Sequence, residues 1–187
     1  EVVSVGDLIG MMAPEWADHG RRVGSLTRSI ASTLGLEDER IRRLEISAVL
    51  HDIGKTHIDP NILALPRALN PAETAVVRQH PIIGFDMVTG LVHPEIARAV
   101  LSHHERFDGL GYPFGRSGHR IPRLARILSV ADAFDAIVSD RVYQESRPVE
   151  YALDELRSYA GTQFDPTVVE AALHTLSSRP SIAGAIA

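Results

Sequence analysis

The chain is 187 residues long, 44% hydrophobic and 23% charged, with a formal net charge of −5 and no cysteine. Those values describe one folded domain and exclude wholesale disorder, a disulfide framework, thiolate metal sites and a cysteine nucleophile. The acidic balance has the wrong sign for a binder of nucleic-acid polymers, and no apolar run approaches the roughly 18–20 residues that a membrane span requires.

Residues 1–13 lack the basic stretch and long apolar run of a signal peptide. They are expected to form a lead-in, part of a preceding domain or linker. Pro14 opens a helix that runs to 34 and stops at Gly35, and a second apolar helix spans 37–53 with Gly54 behind it. Asn70, Pro71 and Glu73 read as cap, first-turn proline and capping-box glutamate of a helix reaching 80. Pro81 and Pro94 each open a short helix, and residues 122–140 carry an apolar stripe at 3–4 spacing. Helices over 149–160 and 166–177 follow, the second capped by Asp165, and 179–187 form a tail. No alternating β pattern is present. The predicted class is all-α, a compact multi-helix bundle with two long loops, 56–70 and the glycine-rich 105–121. Loops of that length tend to be functional.

The polar residues that interrupt these helices are mostly metal-ligand types. His51-Asp52 and His103-His104 both stand at the C-terminal ends of apolar helices. Adjacent helical positions diverge by about 100°, so each pair can meet one ion from two sides or reach two ions. Glu15 and His19 share one helix face, His80 ends its helix at a proline, and Asp132 breaks the apolar stripe, with Asp135 three residues on. Taken singly, each has a plainer role. A helix-end histidine is more often simply hydrogen-bonded, Glu15–His19 is an ordinary surface pair, and Asp132 can pair with Arg123 or Arg126. Together, these imidazoles and carboxylates exceed what one ion takes and suit two or three Fe, Mn, Ni, Co or Zn ions. Neighbouring ions of that kind activate a bridging hydroxide for phosphoester hydrolysis. The other four histidines, His57, His93, His119 and His174, fit no such pattern. The chain's single lysine, Lys55, stands one turn past His51-Asp52.

The segments AVLHDIGK at 48–55, HPIIGFDM at 80–87, HHERFDGLGYP at 103–113, IPRLARILSVADAFDAI at 121–137 and FDP at 164–166 resemble, in order, the HD-GYP domain of the HD phosphohydrolase superfamily. The resemblance spans about residues 15–175 and places a catalytic domain at 14–178. It implies a cytoplasmic phosphodiesterase that hydrolyses cyclic di-GMP with two or three iron or manganese ions. Implied metal ligands are His19, His51, Asp52 (as a bridge), His80, His103, His104 and Asp132, with Glu15 for a third ion. Lys55 is implied to contact the scissile phosphate and Arg141 another. Gly111, Tyr112 and Pro113 form the loop linked in the family to the site wall and to diguanylate cyclase (GGDEF) partners. A sensory or regulatory domain is expected at one end. Two departures stand out: Gln144 replaces a basic residue three after Arg141, and the 56–70 loop has Leu65 and Arg67 where lysine and glycine are usual. The alternatives are a catalytically weak cyclic di-GMP receptor or interaction module, or a hydrolase of another cyclic dinucleotide.

Overall fold

A computed structural model describes residues 4–140 and 146–177. Ten α-helices are described: α1 (Val5–Gly10), α2 (Pro14–Thr33), α3 (Asp38–Leu50), α4 (Pro60–Leu63), α5 (Pro71–Val77), α6 (His80–Val88), α7 (Pro94–Ser102), α8 (Arg123–Val138), α9 (Val149–Ser158) and α10 (Pro166–Ser177). Short 3-10 turns occupy Ile53–His57 and Gly118–Arg120. Among the described residues there is no strand, only a bridge between Ala160 and Phe164. No described helix is long and apolar enough to cross a membrane.

The apolar periodicity is used as the sequence implies. Val23 and Ile30 of α2, Leu44 of α3, Leu128 and Phe134 of α8, Leu156 of α9 and Ala172 of α10 meet in one buried cluster. Deleting a large member such as Phe134 would cost about 3–5 kcal/mol. A second cluster joins Leu8 and Met12, at α1 and just after it, to Leu50, Ile53, Val88 and Val100. The lead-in therefore contributes a packed helix. Capping follows local chemistry: Asn70 and Glu73 form a reciprocal box at α5, and His93 accepts from the Glu95 amide at the start of α7.

Two boundaries differ from expectation, each moving a candidate site residue, and a third difference lies in the 56–70 loop. α3 stops at Leu50, so His51 and Asp52 lie in the turn that leads into the Ile53–His57 segment. A Cβ on Gly54 would stand 2.0 Å from the His80 carbonyl oxygen and 2.7 Å from the Gly84 nitrogen, so only glycine lets this turn lie against α6. The helix predicted to reach 80 ends at Val77, and His80 opens α6. Finally, the 56–70 loop contains the short α4, opened by Pro60 and capped by Asp59. Arg141 and Gln144 lie outside the described residues.

Candidate metal centre

Three helix ends deliver most of the site, after α3, at the start of α6 and after α7, while His19 and Asp132 come from within α2 and α8. The Nδ1 atoms of His51, His80 and His103 each donate to a carbonyl three residues earlier, of Ala48 (2.7 Å), Val77 (2.8 Å) and Val100 (2.7 Å). Those bonds assign the tautomer and turn each Nε2 lone pair inward. The donors collect in two trios, His19–His51–Asp52 and His80–His103–His104, with the ligand atoms of each within 4.8 Å of one another. Asp52 touches both: its Oδ2 is 3.5 Å from His51 Nε2 and its Oδ1 3.4 Å from His80 Nε2. Asp132 Oδ1 lies 3.0 Å from His19 Nε2 and 3.8 Å from His51 Nε2. Neither Arg123 nor Arg126 pairs with it: Arg126 binds Asp165 and Arg123 reaches the Leu34 carbonyl.

A test of whether metal suits this donor set lies in one contact. His80 Nε2 and His103 Nε2 face each other at 3.3 Å although both rings carry their proton on Nδ1. Two buried lone pairs at that distance repel unless a cation joins them. All the donors are nitrogen or carboxylate oxygen, which suits first-row divalent ions, so the residues fit the group. Their protonation agrees. Burial pushes His80 and, well below its usual range, His103 down, and it lowers His104 to about 3, so these rings are neutral and free to ligate at pH 7. Burial would raise the Asp52 carboxyl, but Lys55 and the imidazoles of His51, His80 and His103 hold it far below the carboxylate range. Asp132 is likewise held low against its burial by the hydrogen bond from His19.

A second layer of residues fixes these ligands. His19 Nδ1 bonds Asp135 Oδ2 at 2.7 Å, and Arg22 bonds the same carboxylate through Nε (2.9 Å) and Nη2 (3.0 Å). Burial opposes charge on His19, but the hydrogen bonds to Asp132 and Asp135 raise it to about 9. The sequence shows Asp135 one turn after Asp132, and that spacing was the only signal for its role. Glu105, also without a role on sequence grounds, is buried and accepts from the Phe114 and Arg116 amides, both at 2.9 Å. It thereby pins the 105–121 loop. A Cβ on Gly111 would meet Arg106 N at 2.3 Å and His104 O at 2.5 Å, so glycine is required there. The result is a layered stack: Tyr112 lies 4.8 Å from His104 at 22°, and the Arg78 guanidinium covers the Tyr112 ring at 5.0 Å. Pro113 follows along a cleft of about 450 Å³ shared with Arg78 and Tyr112.

Lys55 Nζ donates to Asp52 Oδ2 at 2.7 Å and also lines an open cleft of about 650 Å³. Glu15 is exposed on the wall of that cleft and belongs to neither donor trio.

The sequence model of the HD domain family matches residues 4–168. Over 158 residues the chain is 41% identical to a cyclic di-GMP phosphodiesterase of Thermotoga maritima, covering 83% of this chain and 43% of that protein. It is 33% identical over 180 residues to 3'3'-cGAMP-specific phosphodiesterase 3 of Vibrio cholerae, covering 96% and 39%. The chain thus spans less than half the length of these relatives. A solved HDG"Y"P protein of Bdellovibrio bacteriovorus shares the fold, with a TM-score of 0.71 at 23% identity over 94% of this chain and 55% of that one. With ordered motifs, helical architecture and a matching family model, the chain belongs to the HD domain family, in its HD-GYP group.

Proposed function

We propose that this domain hydrolyses cyclic di-GMP to pGpG, and onward to GMP, at a centre of two or three divalent ions, iron first and manganese second. The convergence of the buried His51 and His80 Nε2 atoms on Asp52, with Lys55 alongside, carries the reading. His19, His51, Asp52, His80, His103, His104 and Asp132 are the ligands, Asp52 serving both trios, and Glu15 is the residue open to a third ion. Ions held there supply Lewis acidity to phosphoryl oxygens and lower the pKa of water. The protein's own contributions are positioning and charge. Lys55, steadied on Asp52, neutralises the scissile phosphate, and Arg141 takes a phosphate of the substrate. Tyr112, locked between His104 and Arg78, forms a rigid part of the wall.

Anaerobically purified protein reconstituted with Fe(II) or Mn(II), incubated with cyclic di-GMP and followed by chromatography, tests this. Metal-dependent appearance of pGpG is expected, and Asp52→Ala should lose both metal and turnover. Normal metal content and normal turnover in Asp52→Ala would sink the reading. A second reading, hydrolysis of a different cyclic dinucleotide, draws on the similarity to the cGAMP-specific relative and on Gln144. Competing turnover of cyclic di-GMP and 3'3'-cGAMP in one tube decides between them.

A further inference from the structure

The cleft beside Lys55 is walled largely by apolar side chains, among them Met11 and Met12 beyond α1, Trp16 at the start of α2, and Ile58 and Leu63 of the 56–70 loop. Its volume of about 650 Å³ falls within the range of roughly 300–1,000 Å³ usual for small-molecule sites. Met11 is 54% exposed here, an apolar surface left open to water. Trp16 is half-buried: it packs on the second core cluster and also forms part of the cleft wall. Lys55 joins the two places, with its ammonium on Asp52 and its side chain in the cleft. A ligand whose phosphate is held by Lys55 therefore has its neighbouring group in an apolar, aromatic-walled space.

From this juxtaposition we infer that the Trp16 cleft is a nucleobase subsite, taking a purine attached to the reacting phosphate. The inference rests on the phosphodiesterase reading for the placement of that phosphate. Flat aromatic bases gain from stacking on indole and from soft methionine contacts, which need no particular base edge. The cleft thus provides affinity for a nucleotide, while the metal centre provides the chemistry. Binding in it also brings the 56–70 loop, the segment that departs from the family pattern, into contact with substrate.

Trp16 is the only tryptophan in the chain, so its emission reports on this cleft directly. Metal-loaded protein is excited at the indole edge while cyclic di-GMP is mixed in by stopped flow, with inorganic phosphate as the base-free control and chromatography run in parallel. Saturable quenching by cyclic di-GMP and none by phosphate is expected. Trp16→Leu should raise KM about tenfold to a hundredfold. Ala64→Phe, which narrows the cleft from the loop side and keeps Trp16, should raise KM and reduce the quench, so the test survives if Trp16→Leu fails to fold. Hydrolysis without quenching overturns the subsite and leaves the enzyme reading intact. Quenching without hydrolysis supports the subsite and overturns catalysis, and neither signal overturns both.

Discussion

Glu105→Gln gives a sharp trial of how the fold presents its candidate metal ligands. Glu105 is 3% exposed, and its two oxygens accept the Phe114 and Arg116 amides at 2.9 Å each. Charge-assisted bonds of this kind contribute about 1.5–3 kcal/mol apiece. Glutamine keeps one acceptor, now neutral, and turns an NH2 group toward the other amide, so one bond is weakened and one is lost. Phe114 is itself largely exposed, and water can therefore replace part of the loss. The net cost is about 2–3 kcal/mol, or a melting temperature lower by about 5–10 °C in a chain of this size. The effect should be local before it is global. Hydrogen exchange at the Phe114 and Arg116 amides should accelerate, and Tyr112, which these contacts help hold on His104, should loosen. Metal affinity measured by chelator competition should then fall for the ion at His80–His103–His104. Unchanged protection of both amides, with stability within about 0.5 kcal/mol of the parent, would refute the argument.

Three further outcomes follow from the geometry. With His19 raised to about 9, the metal-free protein carries a proton there at pH 7 that a metal ion must displace. Apparent metal affinity should climb with pH up to about 9, and calorimetry in buffers of different ionisation enthalpy should show about one proton fewer released by His19→Gln. Linkage gives the matching sign for folding: a raised histidine stabilises fully below 6.5 and loses that contribution as pH rises through about 9, so the metal-free melting temperature should fall across that window and fall less in His19→Gln. Asp135→Asn removes one of the two carboxylates holding that proton and should reduce proton release in the same titration. It should cost only about 1–2 kcal/mol on unfolding, because Arg22, its 41%-exposed partner, regains water. Gly54→Ala drives a methyl group into the His80 carbonyl and should destabilise by about 3 kcal/mol or more in a urea titration, with loss of metal binding. A Gly54→Ala protein of parental stability would show that the turn packs less tightly against α6 than these distances say.

Local patterns in the chain were enough for the helical class, the approximate helix limits and most of the imidazoles and carboxylates that the fold gathers around Asp52. Helix period, prolines at first-turn positions and glycine stops are local signals, and helices are local structures. His51-Asp52 and His103-His104 were legible because an imidazole or carboxylate at an apolar helix end is costly without a partner. Which of those donors stand together was set by long-range packing. His80 opens α6 and points at His103 because Gly54 lets one backbone rest on another, a contact across 26 residues that no local pattern encodes. Asp135 and Glu105 could not be assigned from sequence for the same reason: a buried carboxylate takes its role from what packs opposite it. Asp135 faces His19 and Arg22 from a helix more than a hundred residues away. Glu105 faces amides whose direction is set only once the loop has closed. Lys55 was conspicuous as the only lysine, but its position between Asp52 and the Trp16 cleft exists only after α1, the turn and α4 have packed together.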